Sequence, residues 1–394
     1  MLYHNRQGFT LIELVVVMAI FLTIIMISAT AFERIADRSS QQSKSVETQI
    51  EGIVGLELFR SDLEGAGFGL PWELNPGKQP PEPAIADPAI NYQEVTVAAT
   101  VPPAGIDPRI FNDAPNNAPR PVWSANTAFN NDGTVGSKYL VIKSALVADN
   151  SASGKWTTIS YDKDGTRTRK DWGSNLNFAN SDRVIIVKNS LQSTPPTRQL
   201  MTSPWQGTFA PYSSPSTHSN GDTFEIYGVD PNTSLGMPFN RADYYVARPA
   251  TGMPQKCANS PNVGILYKAI ATQGGGLTQG MPLLDCVADM QVVYGVDASG
   301  SGIVDTDPNL HTTDLTGYTP EKIRSDLKEI RVYILAQEGK RDRFYSYPST
   351  TIDVGERFGG VMQGRAFDLT RITDYQSYRW KVYTIVIRPK NVIQ

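Results

Sequence analysis

The chain has 394 residues, with 36 Lys and Arg against 39 Asp and Glu, for a formal net charge of −3. That mildly acidic balance gives no bulk attraction for nucleic acid. Three histidines and two cysteines leave little from which to build a metal centre or a histidine-based catalytic triad.

The chain begins with a polar segment, 1–8, that carries Arg6 and His4 and ends on Gly8. From Phe9 it turns apolar, and through Ala31 the only charged side chain is Glu13. A helix rising about 1.5 Å per residue crosses a bilayer core of about 30 Å in roughly 20 residues, so 9–31 is predicted to span a membrane. The basic leader suits the cytoplasmic side. An ordinary secretory signal has its small-residue cleavage site after the apolar core, whereas here the small residue precedes it. Cleavage behind Gly8 would leave the apolar helix on the mature protein and make Phe9 the new N-terminus. An ionised carboxylate inside a span costs at least ~2.5 kcal/mol. The cationic Phe9 amine of a neighbouring subunit would offset that cost for Glu13.

The run Gly8-Phe9-Thr10-Leu11-Ile12-Glu13, followed by an uninterrupted apolar helix, resembles the class III signal of type IV pilins and pseudopilins. The resemblance implies that prepilin peptidase cuts between Gly8 and Phe9 and methylates the Phe9 amine. It also implies that Glu13 guides the subunit into a filament.

Helical character continues past the membrane segment. No Gly or Pro occurs from Phe9 to Glu51, and Val46, Ile50, Ile53 and Val54 fall on one helical face. The helix is predicted over 9–64, with Gly52 and Gly55 as its weak points. Gly65-Ala66-Gly67-Phe68-Gly69-Leu70-Pro71 ends it. These glycines do not fit a nucleotide loop, because no strand precedes them and the third comes too early for Gly-x-Gly-x-x-Gly.

Residues 65–121 form a Pro-rich loop region: 12 of the 27 prolines lie within 71–121. A strand at Val95–Val101 is the one periodic stretch in it. A β-rich middle region, 122–283, follows, with strands expected at Tyr139–Val147, Trp156–Tyr161, Arg183–Lys188, Phe224–Val229, Tyr244–Arg248 and Ile265–Ile270. A C-terminal β region, 284–394, adds Asp289–Val296, a short helix at Pro320–Leu327, Glu329–Gln337 and Tyr378–Arg388. The last of these is apolar on both faces and reads as a central strand. The expected fold class is α+β: one long N-terminal helix, its first half in the membrane, packed on a largely antiparallel sheet with β-rich insertions.

The segments Leu284–Asp297, Leu327–Leu335 and Tyr378–Arg388, together with Leu58–Gly67 at the helix end, resemble those of PilW-type minor pilins. The resemblance implies a minor pilin acting in pilus assembly initiation at or near the tip. Its partners would be major and minor pilins, prepilin peptidase and the inner-membrane assembly platform. It would sit first in the inner membrane, N-terminus cytoplasmic and head periplasmic, then in the pilus. Two alternatives are a tip adhesin, using exposed tryptophans such as Trp123, Trp156, Trp172 and Trp205, and a J-like pseudopilin of type II secretion.

Beyond the membrane helix the chain is expected outside the cytoplasm, where disulfides persist, so Cys257 and Cys286 are expected to pair, with two separate buried thiols as the alternative. Asp297-Ala-Ser299-Gly-Ser301-Gly-Ile-Val-Asp305 places oxygen side chains as an EF-hand loop does, but Pro308 replaces the closing Glu. Asp297, Ser299, Ser301 and Asp305 are therefore candidate ligands for weak Ca²⁺ binding; no other cofactor is expected. No His-Glu-x-x-His, Walker A or Gly-x-Ser-x-Gly motif occurs, and no enzymatic activity is expected.

Overall fold

The computed structural model describes residues 10–74, 91–96, 106–115, 117–190, 197–201, 221–297, 299–301, 304 and 307–390; at 34, 36–51 and 190 only the backbone is described. The Val95–Val101 strand falls largely outside these residues, and Val95 and Thr96 themselves are not in a strand.

Helix α1 (Leu11–Glu64) runs unbroken for 54 residues, about 81 Å at the usual rise. Residues 10–33 are exposed throughout. Within α1, Leu11–Glu33 is long and apolar enough to cross a membrane. The helix stops at Gly65, whose N–H donates to the Ser61 carbonyl at 3.0 Å, and the Gly67 N–H then donates to Lys143 in the sheet at 3.0 Å.

The strands begin with β1 (Val122–Asn126) and β2 (Lys138–Ser144). An insert of five follows: β3 (Trp156–Tyr161), β4 (Arg167–Arg169), β5 (Asp182–Ser190), β6 (Thr197–Leu200) and β7 (Thr223–Pro231). The chain returns with β8 (Asn240–Ala247), β9 (Gly264–Ile270) and β10 (Met281–Val296). After the short β11 (His311–Thr312) and helix α2 (Pro320–Asp326) come β12 (Leu327–Glu338), β13 (Thr351–Phe358), β14 (Val361–Asp368) and β15 (Arg379–Ile387).

The main sheet has the order β1-β2-β8-β9-β10-β12-β15, with β11 beside β10, and all its ladders are antiparallel. The insert makes its own sheet, β4-β3-β7-β5-β6, and β13 and β14 form a separate hairpin. One face of the main sheet packs on the end of α1, where Phe59 and Leu63 join Ile142, Tyr244, Val292 and Ile334. The opposite face is covered in two pieces. At the β10–β15 end, Phe367 of the hairpin meets Tyr333 and Leu335. At the β2–β9 end, Phe111 lies over Tyr139, Val141 and Tyr245.

Strand β2 shows why this works. Its alternate side chains point to opposite faces, so Leu140 and Ile142 meet the helix side while Tyr139, Val141 and Lys143 meet the segment around Phe111. Buried charges fix that segment. Lys143 bridges Glu94 and Asp113 at 2.7 and 2.6 Å. Fully buried Arg241 reaches Asp243, Glu94, Asn112 and the Pro108 carbonyl. Such charges are tolerable only because each is paired and hydrogen-bonded.

The expectation of a central strand at Tyr378–Arg388 is corrected. Among the described residues β15 ends the main sheet and pairs only with β12. Its two apolar faces come from layers above and below: Ile385 and Ile387 belong to the helix-side core, Trp380 to the hairpin-side core.

Candidate functional site

Two places bear on what the long helix does: its N-terminal end and its seat on the head. At the first, Thr10 caps α1 and Glu13 stands at the third helical position. Glu13 N–H donates to Thr10 Oγ1 at 3.3 Å, while Thr10 N–H and Oγ1 both donate to Glu13 Oε2 at 2.9 Å. This reciprocal capping box satisfies donors that a helix start leaves open, and its carboxylate lies at the positive end of the helix dipole. Both bonds use Oε2, which leaves Oε1 for an outside donor. Thr10 was missed in the sequence reading, although Thr-x-x-Glu before an apolar run is a capping signal. Gly8 and Phe9 lie outside the described residues.

The seat is built on close approach. At Gly52 an added Cβ would come within 2.8 Å of Leu284 Cδ1; at Gly55 it would overlap the Leu283 carbonyl. These glycines are therefore not weak points, as the sequence suggested, but the positions where helix backbone touches β10. One turn on, Phe59 stacks on Tyr244 with ring centroids 4.3 Å apart. Asp62, buried, accepts from Lys268 at 2.5 Å and from the Tyr244 hydroxyl. Burial pushes the Asp62 carboxyl up despite Lys268, and burial beside Asp62 pushes the Tyr244 hydroxyl well up.

A family model for the prokaryotic N-terminal methylation motif matches residues 3–29, and one for Type IV Pilus-assembly protein W matches residues 243–391. The chain's helix start is thus similar to that of pilins, and its C-terminal head to PilW-type minor pilins. No curated protein and no solved structure matches it. The first match covers the capped end of the long helix. The second takes in Tyr244, Lys268 and the main-sheet strands from β9 onward, so the head side of the seat lies within it. These families are components of pilus structure and assembly. The five-stranded insert lies outside both matches.

Cys257 and Cys286 form a disulfide between the segment before β9 and the middle of β10. Cys286 has φ of +57° and lies where β10 shifts register against β9. The bond therefore pins the irregular part of β10 beside the helix seat.

The proposed calcium loop is organised from within. Asp297 Oδ1 accepts from Ser299 N–H, Ser299 Oγ and Gly300 N–H, and Oδ2 from Ser301 Oγ. Asp305 lies outside the described residues, and among those described no group of three His, Cys, Asp or Glu could hold a metal. Three of the four tryptophans pack into the protein: Trp123 between Phe111 and the Arg120 guanidinium, Trp156 against Phe68 and Trp172. Trp205 lies outside the described residues.

Proposed function

We propose that this minor pilin is cut between Gly8 and Phe9 by prepilin peptidase and acts in starting pilus assembly, at or near the tip. The observation that carries the reading is Glu13: a single acid on an otherwise apolar exposed helix, one turn from the new amine that cleavage would create. In the separate subunit its carboxylate caps its own helix. In an array of such helices Oε1 would accept from the Phe9 ammonium of a neighbour, exchanging weak solvation for a charge-assisted bond.

The segment Leu11–Glu33 would hold the subunit in the inner membrane with the head periplasmic, and other pilins would then pack along the helix. A tip position is favoured by bulk. A main sheet with a hairpin, a Pro-rich cover and a five-stranded insert crowds a helical lattice more than it crowds an end. The test is deletion of the gene with counting of surface pili, followed by complementation. Pili of normal number and function in the deletion strain would overturn the reading, and a secretion defect in place of a pilus defect would move it to the pseudopilin alternative.

A further inference from the structure

An open cavity of about 800 Å³ lies where the last turns of α1 meet β9 and the loops before β3, after β7 and after β9. Leu58, Leu146, Ile270 and Met281 give it an apolar lining. At its inner wall are Asp62 and Lys268, both more than nine-tenths buried. Both side-chain bonds of Asp62 use Oδ2. The charges of this pair cancel. Asp149 and Asp230 do not cancel: among the described residues neither carboxylate has an ion pair or a side-chain hydrogen bond, and both line the same cavity.

Two of the larger polar side chains are committed elsewhere. Asn150 holds the Val229 carbonyl and the N–H groups of Ala152 and Ser153. Gln273 holds Gly236, Met237 and Phe239. With the Asn150 and Gln273 amides engaged and no aromatic ring in the lining, the cavity is poorly made for a sugar. The absence of a metal-binding group among the described residues turns the choice from an ion, and two unbalanced carboxylates repel an anion. What remains is a cation on an aliphatic stem.

We infer that this cavity is a docking cleft for a basic segment of a partner protein, with a Lys or Arg whose charged head meets Asp149 and Asp230 while its stem covers Leu58, Leu146 and Met281. Long basic side chains pack in this divided way, stem on apolar surface and head on acid. The inference concerns what the head binds and stands whether or not the chain starts pili.

The test uses the full mature chain in detergent micelles and a fluorescein-labelled peptide of alternating Lys and Leu, read by anisotropy. The wild type is expected to bind it. The Asp149→Asn, Asp230→Asn double variant should weaken binding roughly tenfold, and Leu146→Ser should weaken it less. Asp162→Asn, in an exposed turn of the insert, should leave it unchanged. Equal affinity of wild type and the double variant, or equal binding of the matching Gln-Leu peptide, would overturn the proposal, as would binding of a neutral oligosaccharide without the basic peptide.

Discussion

Gly55 of the long helix lies so close to Leu283 of β10 that an added Cβ would come within 2.9 Å of Leu283 Cα and overlap its carbonyl oxygen. Gly55→Ala should therefore lift the helix from the sheet rather than stiffen it. Alanine normally favours a helix over glycine by about 1 kcal/mol. Here overpacking should outweigh that gain, for a net loss of roughly 1–3 kcal/mol. Thermal melting of the purified chain checks this, with Glu57→Ala on the exposed side as the control. A raised melting temperature for Gly55→Ala would show that the seat is loose.

Glu13 caps its own helix, and the proposed function gives it a second duty, pairing with a neighbour's Phe9 amine. Glu13→Val should insert in the membrane yet leave few or no subunits in pili. Glu13→Gln keeps an acceptor suited to a capping box but carries no charge. It should fail in assembly like the Val variant if the amine partner is what matters. Thr10→Val removes the cap, at a cost of about 1 kcal/mol, and should assemble far better than either. Membrane fractionation and immunolabelling of pili distinguish these outcomes.

Asp62 and Lys268 should behave as a unit. Asp62→Asn strands a buried ammonium and should cost about 3–5 kcal/mol; adding Lys268→Met should recover most of it. Burial raises the folded pKa of Asp62 above 3.8, so the folded state holds this proton more tightly than the unfolded chain does. Stability from this group therefore falls as pH rises through the raised value. The double variant should lack that slope in melts taken across the acid range.

Asp132 gives the opposite sign. The backbone N–H groups of Val135 and Thr134 donate to it at 2.8 and 2.9 Å and hold its carboxyl down to about 2, from 3.8. Its ionised form contributes stability that is full above 3.8 and lost as the pH falls toward about 2. Asp132→Asn should show a shallower loss of melting temperature over that window. A titration of the Asp132 carboxyl carbon by NMR with a midpoint near 3.8 would contradict it.

The Cys257–Cys286 bond closes a separation of 29 residues. By the chain-entropy relation such a link stabilises by about 3–4 kcal/mol. Reduction, Cys257→Ser and Cys286→Ser should each lower the melting temperature by a similar amount, and the double variant should be no worse than either single one.

Much of this architecture was legible because period and punctuation agreed. The helix end at Glu64 was marked by glycines, and Trp156–Tyr161, a β-branched and aromatic cluster between turn residues, is a strand over the same bounds. β13 and β14 were missed. Their sequences, Thr351–Phe358 and Val361–Asp368, mix charge and glycine, since a hairpin lying over a sheet buries one face only in part. β15 was misplaced because burial on both faces does not distinguish a centre from an edge when layers lie above and below. At the helix seat the sequence showed the residues but not their meaning. A glycine in a helix reads as weakness until something is seen pressing against it, and Lys268 lies more than two hundred residues from Asp62.

The insert leaves the main sheet after Ser144 and re-enters at Asn240, and those two residues are paired partners on β2 and β8. Its two ends are therefore about as far apart as neighbouring strands, roughly 5 Å. A tight hairpin would bridge the same gap. The junction alone would let the insert be exchanged, but its sheet shares a core with the rest of the head: Ile185, Val187, Tyr227 and Val229 pack with Leu70, Leu74 and Ala145. A change of the insert is therefore geometrically easy at its two ends but must keep the face that this shared core buries.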